Sequence, residues 1–175
     1  MDNNVDYKIP PNMELSDLPQ GTTEYVEKTL TYYEGFQRRI YVVDEEVPYP
    51  DGRLIVSRTD TRGIITHANR AFVDMSAWTE EELVGSPHSI LRHPDVPPVI
   101  FKDLWDTVQS GKPWRGFVKN LRKDGRYYWV YATASPNYED GHIIAYTSVR
   151  RKPAREGVNQ TLEVIGKIWS GELVL

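Results

Sequence analysis

The sequence predicts an α+β domain in which one five-stranded antiparallel sheet carries helices on one of its faces. The first observation is a pair of long strands, 114–122 and 126–135, joined at 123–125 by Lys-Asp-Gly, which is typical of a hairpin turn. The second is a further strand, 142–150, which follows another Gly-containing turn and completes a meander. The third is a helix just before these strands, whose apolar residues recur at i, i+3, i+4 and i+7: Phe101, Leu104, Trp105 and Val108.

Two shorter strands and two short helices precede this region. Residues 53–59 and 64–67 are rich in strand-forming residues and are separated by a turn. Asn69 can cap a first helix, because its side-chain oxygen accepts from the free N–H groups of a helix start. Thr79 and Glu82 have the spacing of a capping box for a second, short helix. The order of elements therefore predicts five strands with the helices between the second and the third.

The flanking segments differ in pattern from this centre. Residues 1–21 are rich in Pro, Asn and Asp and predict an extended or disordered arm. Residues 22–52 predict an N-terminal helix and a linker, and residues 152–175 a weakly amphipathic connector, so the central domain spans 53–151. The predicted N-terminal helix rests on a stripe of four residues: Val26, Leu30, Tyr33 and Ile40. An isolated helix of this length is marginal in water, so we expect it to form a homodimer contact or to cap the sheet.

Composition and charge exclude several classes of function. The 175 residues include 21 Lys and Arg and 25 Asp and Glu, a net charge of −4, so no basic excess is available to bind nucleic acid. Cysteine is absent, which excludes disulfides, thiolate metal ligands and cysteine nucleophiles. No apolar stretch is long enough to insert into a membrane, and no signal-peptide pattern opens the chain, so we expect a cytoplasmic location. No hydrolase, zinc-protease or nucleotide-loop motif is present, so we expect no enzyme.

A polar residue on an apolar strand face is the strongest candidate for ligand binding. Side chains alternate along 114–122, so Asn120 shares one face with Trp114, Gly116 and Val118. A buried amide is costly unless it is paired. Because an amide both donates and accepts hydrogen bonds, Asn120 is expected to pair either with neighbouring backbone or with a polar ligand.

Four motifs stand out in the centre of the chain. They are Thr-His-Ala-Asn at 66–69, Arg-His-Pro-Asp-x-Pro at 92–97, Pro-Trp-x-Gly-x-Val-Lys-Asn at 113–120 and Tyr-Trp-Val at 128–130. Together they resemble the PAS family, and within it the FAD-binding sensor domains of bacterial aerotaxis receptors. The resemblance implies the PAS fold, a bound FAD and a role in sensing redox state or oxygen for signal transduction of the aerotaxis or chemotaxis type.

The resemblance also implies roles for particular residues. An Asn at the position of Asn120 is implied to pair with the pyrimidine edge of the flavin ring. Arg92, with His93 and Asp95, is implied to support flavin binding, Arg92 through the diphosphate or a ring carbonyl. Asp95 is expected to hold His93 or Arg92, or to cap the following helix, and the alternative for Arg92 is a solvated loop residue.

Three further residues are candidates for the cofactor site. Asn69 is implied to lie beside the cofactor, although its sequence position equally favours a helix cap. Trp105 and Trp114 are expected to line the flavin pocket, and aromatic residues at helical spacing are as often plain core residues. We therefore expect these three side chains at the wall of the pocket.

The expected mechanism is a shift of conformational population. We expect the resulting change in structure to act on a downstream signalling domain or protein. A first alternative is a haem-binding PAS sensor, in which His93 would be the nearest axial ligand because the helix 98–110 contains no His. A second is a cofactor-free dimerisation or interaction module. A third, a small flavin reductase, would need a dinucleotide site that no motif indicates.

Overall fold

The computed structural model describes residues 6–32 and 35–175. In chain order the strands and helices are β1 (Val26–Thr31), β2 (Gln37–Val42), β3 (Ile55–Thr59), β4 (Ile65–Ala68), α1 (Arg70–Ser76), α2 (Glu80–Leu83), α3 (Pro98–Gln109), β5 (Trp114–Leu121), β6 (Tyr127–Glu139), β7 (His142–Arg151) and α4 (Arg155–Trp169). Five strands form one antiparallel sheet in the order β4–β3–β7–β6–β5, and β1 and β2 form a separate two-stranded sheet. The predicted five-stranded sheet is confirmed.

The meander β5–β6–β7 follows the predicted turns. β5 and β6 pair from Trp114 opposite Ala134 to Leu121 opposite Tyr127. Gly125 in the connecting turn has a φ of +83°, and a Cβ at this position would lie 2.9 Å from the carbonyl oxygen of Tyr41. The turn therefore requires glycine both for its left-handed backbone and for the close approach of the N-terminal segment.

The predicted helix starts are also confirmed. Asn69 accepts a hydrogen bond from the backbone N–H of Phe72 and so caps α1. Thr79 and Glu82 exchange the two hydrogen bonds of a capping box at the start of α2. α3 has Pro in its first turn, where the missing N–H is not needed.

The sheet has two covered faces. Helices α1 to α3 pack on one of them, which we call the inner face, and the central core lies between, with Phe72, Leu83 and Val130 fully buried. On the opposite, outer face, α4 packs on β5 and β6, where Val158 and Ile165 contact Trp129. The expected arrangement with helices on one face thus holds for α1 to α3, and the segment predicted as a connector adds α4 on the other face.

The predicted N-terminal helix in 22–52 is wrong, because this segment forms the hairpin of β1 and β2. β-branched and aromatic residues dominate it, and such residues favour strands. Gly35 adopts a φ of +86° between the two strands, which suits a turn. Ile40 is fully buried against Leu121, whereas Val26 is exposed, and Tyr33 lies outside the described residues. Val26, Leu30 and Ile40 fit the spacing of a helix and also that of a strand. The packing of Ile40 on Leu121 selects the strand.

Residues 6–25, the described part of the arm before the hairpin, form no strand or α-helix; they contain a short 3-10 helix at Leu15–Asp17, and residues 10–18 are docked on the domain. Met13 is buried beside Ile40, and its N–H donates to the carbonyl of Arg39. The buried Arg38 donates to the carbonyls of Pro11 and Ile90, which ties the arm to the central domain. Of the described helices, none is long and apolar enough to cross a membrane.

Candidate functional site

Asn120 lies on the inner face of β5, as the alternation predicts. Trp114 and Val118 of the same face belong to the central core, whereas Phe117 of the other face packs beneath α4. Asn120 is 5% exposed and lies opposite Tyr128 on the adjacent strand. Burial raises the pKa of Tyr128, and the nearby Asn120 amide acts in the opposite direction. By distance and angle, however, the Tyr128 hydroxyl has no hydrogen-bond partner among the described residues. Two polar groups therefore lie side by side in an apolar core.

Burial dominates the chemistry of Tyr128. It raises the pKa of Tyr128 to about 12, against the opposing charge of Arg150. The hydroxyl is consequently protonated at neutral pH and can donate a hydrogen bond. Together, Asn120 and Tyr128 offer at least two donors and two acceptors to a polar ring edge.

Arg92 lies beside Asn120 in the fold. The two residues form an isolated antiparallel bridge between the loop before α3 and β5. The guanidinium of Arg92 lies 5.5 Å from the centre of the Phe101 ring, and its buried Nε has no partner in the described part of the chain. Arg92 therefore places a positive charge at the end of β5 where Asn120 lies. Among the described residues, this charge has no carboxylate partner.

His93 and Asp95 point away from Asn120. Lys119 belongs to the outer face of β5, and its Nζ lies 2.9 Å from Oδ2 of Asp95. The ring of His93 packs edge-on against Tyr127, also on the outer side, and its Nδ1 accepts from the backbone N–H of Asp95 at 3.1 Å. The Arg-His-Pro-Asp motif is thus divided between the two faces of the sheet.

The surroundings of His93 keep its ring neutral. Burial, and then the neighbouring charge of Lys119, lower the pKa of His93 to about 3, so the ring is neutral at physiological pH. Asp95 holds Lys119 and bonds to His93, whereas α3 begins after Pro97 without a side-chain cap. The alternative in which Asp95 caps α3 is therefore wrong. Together these contacts hold the loop that carries Arg92.

Asn69 is fully engaged in local structure. Its Oδ1 accepts from the N–H groups of Phe72 and Val56, and its Nδ2 donates to the carbonyl of Leu54. These bonds join the start of α1 to β3. One of these three side-chain hydrogen bonds, from Phe72, is the predicted cap, and the other two tie the start of the helix to the segment of β3.

Trp105 and Trp114 anchor α3 to the sheet. The indole N–H of Trp114 donates to Oδ2 of Asp103 at 2.8 Å, and the ring covers Gly116, where a Cβ would lie 2.4 Å from it. Trp105 meets Tyr146 of β7 edge-on, with ring centres 5.6 Å apart. Both tryptophans lie between α3 and the inner face, where they have core contacts.

A buried cluster on the inner face escaped the sequence analysis. Arg150, 2% exposed, donates through Nη2 to Oγ of Ser57 at 2.5 Å and through Nη1 to Nε2 of His88 at 3.2 Å. The alternation of β7 was the available signal, because it places Tyr146, Ser148 and Arg150 on one face. A terminal Arg of a strand is usually solvated, which is why the pattern alone gave Arg150 no role.

Burial also sets the charges of this cluster. It lowers the pKa of Arg150 to about 10, so the guanidinium remains protonated at neutral pH. Burial and the charge of Arg150 lower the pKa of His88 to about 3. Arg150 is therefore charged, and His88, which accepts from it, is neutral.

The inner face has the polar groups that a flavin ring requires. Arg92 Nε, Tyr128 Oη and Arg150 Nε are buried donors without partners among residues 6–32 and 35–175, and Asn120 lies beside two of them. The residues present thus fit a planar ligand with a polar edge. Two surface clefts, of about 470 and 430 Å³, lie elsewhere, at the arm and beside α1. Within the described ranges, no cluster of three metal-ligating side chains occurs.

Comparison with known proteins agrees with this geometry. Residues 65–150 match the PAS fold family. The chain contains a PAS domain. It is 44% identical to the aerotaxis receptor of Escherichia coli over 118 residues, which are 67% of this chain and 23% of that receptor. The chain spans less than a quarter of the length of the curated relatives that it matches most strongly.

Solved structures show the same fold for the PAS domain. The blue-light photoreceptor Aureochrome1 LOV in its light state has a TM-score of 0.56 at 20% identity, and the match covers 61% of this chain and 90% of that one. A light-oxygen-voltage domain from work on a flavin analogue and the mechanism of such domains has a TM-score of 0.55 at 19% identity, and the match covers 63% of this chain and 83% of that one. The expected PAS fold and the resemblance to aerotaxis receptors are confirmed.

Proposed function

We propose that this PAS domain binds flavin, specifically FAD, between the inner face of the sheet and helices α1 to α3, and senses redox state or oxygen in the cytoplasm. The observation that carries the proposal is the pair formed by Asn120 and Tyr128, which are buried side by side while the Tyr128 hydroxyl has no hydrogen-bond partner in the described part of the chain. FAD is proposed over FMN because the motifs around Asn120 resemble those of aerotaxis receptors, and 44% identity to one of them supports this.

The residues of the inner face would hold the cofactor in distinct ways. Asn120 and Tyr128 would bind the polar ring edge, and Arg92 would bind a ring carbonyl or the diphosphate. Trp105 and Trp114 would exclude water from the ring. When bound, flavin supplies a ring that accepts electrons, with a change in its charge and hydrogen-bonding groups.

The outer face offers a route for the signal. Lys119, the neighbour of Asn120 on β5, is paired with Asp95, and the carbonyl of Asp95 accepts from the indole N–H of Trp169 in α4 at 2.7 Å. A shift of β5 or of the Arg92 loop would therefore change the contact that holds α4. We propose that this helix passes the change to a downstream domain or protein, by population shift and without turnover of a substrate.

The haem alternative has less support than flavin. His93, the histidine nearest to α3 in sequence, packs edge-on against Tyr127 on the outer side. An axial ligand must reach the pocket from the inner side. A cofactor-free interaction module remains the second alternative, and it would leave the inner donors unpaired.

The visible spectrum and the mass of the extracted cofactor test the proposal. We expect a yellow protein with non-covalent FAD, and no stable thiol adduct on illumination because the chain contains no cysteine. A Soret band would favour the haem alternative. A colourless protein that does not take up added FAD or FMN would favour the interaction module.

We also propose that the sensor works as a homodimer. β1 pairs with β2 alone, so it leaves an exposed strand edge, and such edges readily pair with another chain. Sedimentation velocity at increasing protein concentration tests this: a dimer is expected, and a monomer at every concentration would contradict it.

A further inference from the structure

Arg150 is a buried cation without an anionic partner. It is 2% exposed and lies on the inner face between Ile55 of β3 and Ala132 of β6. Among the described residues no carboxylate oxygen lies within 4 Å of its guanidinium. A buried charge without a partner of opposite sign strongly destabilises a fold, so the position of Arg150 calls for an explanation.

The groups that surround Arg150 are neutral. Ser57 and His88 accept two of its hydrogen bonds, and its guanidinium carbon lies 4.4 Å from the centre of the Phe72 ring. Its Nε has no partner in the described part of the chain. These contacts orient the guanidinium but do not neutralise it.

Other buried arginines of this domain have other kinds of acceptor, although Nη2 of Arg38 also has no partner among the described residues. Arg122 forms an ion pair with Asp124 at 3.0 Å. Arg38 donates to the carbonyls of Pro11 and Ile90, which carry partial negative charge and tie the arm in place. Within residues 6–32 and 35–175, the guanidinium of Arg150 has neither a carboxylate nor a carbonyl as acceptor, so a purely structural role explains its burial poorly.

Arg150 acts on the polar groups of the candidate site. It lies in one cross-strand row with Ala132 and Gly116, whose small side chains leave no polar partner along the row. Its charge reaches the unpaired hydroxyl of Tyr128, the neighbour of Asn120. The uncompensated charge and the unpaired donors therefore belong to the same side of the sheet.

We infer that Arg150 is a ligand-binding residue whose counter-charge is supplied by the bound ligand, and that it favours the reduced, anionic form of the flavin. The inference rests on the function proposed above. Two electrons and one proton convert oxidised flavin into its anionic reduced form; in the assay dithionite supplies the electrons and water the proton. A fixed buried cation stabilises that added negative charge selectively.

Three variants test this role. Arg150→Met removes the charge and keeps a similar apolar volume, Arg150→Gln retains a hydrogen bond to Ser57, and Arg151→Met is the control. Arg151 is the exposed neighbour that lies over Tyr131 on the outer face. Thermal unfolding is measured without and with FAD, and the flavin is titrated with dithionite.

We expect ligand-free Arg150→Met to be at least as thermostable as the ligand-free wild type, because replacing a buried unpaired charge by an apolar group is often stabilising. Stabilisation by FAD should decrease in both Arg150 variants. The preference for reduced over oxidised flavin should fall at least tenfold, which for a two-electron couple is about 30 mV. Arg151→Met should match the wild type in every measurement.

The outcomes separate this inference from the proposed function. Wild type that takes up no flavin overturns both. Wild type that binds flavin, with Arg150 variants of unchanged affinity and potential, overturns the inference alone. Loss of folding in both Arg150 variants, or a large loss of ligand-free stability in Arg150→Gln, would assign Arg150 to structure and also overturn it.

Discussion

Arg92 and Asn120 face each other across an antiparallel bridge that joins the loop before α3 to strand β5. The bridge makes the Arg-His-Pro-Asp loop an extension of the sheet. Arg92 and Asn120 therefore lie together on the inner side, while His93 and Asp95 of the same loop bind Lys119 and Tyr127 on the outer side. A change at the inner site has a short path to α4.

Asn120→Ala should lose flavin while the fold remains intact. The substitution removes an amide from a buried face at little cost in packing, but the ring edge would lose paired donors and acceptors. Flavin content per protein, measured by absorbance, should fall well below that of the wild type, with an unchanged far-ultraviolet circular dichroism spectrum. Asn137→Ala is the matched control, because Asn137 accepts from Thr147 on the adjacent strand. Full flavin occupancy in Asn120→Ala would show that Asn120 is structural.

Arg92→Ala should lower the flavin midpoint potential by tens of millivolts. A charge at about 4 Å is worth roughly 4 kcal/mol at an effective dielectric constant of 20, and partial exposure reduces this to a fraction. Spectroscopic redox titration measures the shift, with Arg70→Ala as control because Arg70 pairs with Asp74 on the surface. Weaker FAD binding with an unchanged potential would place Arg92 at the diphosphate. No change in either would remove Arg92 from the site.

Acid should destabilise the protein through His88. Its pKa falls from an ordinary 6.5 to about 3 in the folded state, chiefly by burial and secondly by Arg150. Between these values the unfolded chain binds the proton more readily, so the stability is complete above pH 6.5 and is lost as the pH falls toward 3. One such group contributes at most about 1.4 kcal/mol per pH unit.

Urea unfolding from pH 7 to pH 4 measures this dependence. His88→Gln, which retains an acceptor for Arg150, should have a lower slope of unfolding free energy against pH than the wild type. His142→Gln changes an exposed histidine and should leave the slope unchanged. Equal slopes for His88→Gln and the wild type would contradict the burial-driven shift.

Ile40→Ala should destabilise the domain by about 2–5 kcal/mol, because it empties a fully buried site between β2 and Leu121. Val26→Ala, at an exposed position of β1, should cost little. The two free energies of unfolding, compared by urea titration, decide whether the hairpin is part of the folded domain. Similar small effects for both variants would mean that the N-terminal segment contributes nothing to the stability of the PAS domain.

Local patterns were sufficient to predict the centre of the fold. The turns of the meander contain Gly125 and Gly141, which adopt positive φ, and the caps at Asn69 and Thr79 depend on groups within three residues. Alternation along β5 correctly assigned Asn120 to the inner face. These features depend on neighbours in sequence, and for that reason the sequence alone determined them.

Tertiary contacts decided the rest. Helix and strand spacing coincide at Leu30 and Ile40, so the choice of a hairpin depends on Leu121, about eighty residues away. The division of the Arg-His-Pro-Asp motif depends on Lys119, which holds Asp95 on the outer face. The burial of Arg150 likewise depends on residues from three separate elements, because Ser57 of β3, Phe72 of α1 and His88 surround its guanidinium. The sequence by itself indicated several residues that could bind a ligand, whereas long-range packing determined which of them share a face and placed Arg150 on that face as well.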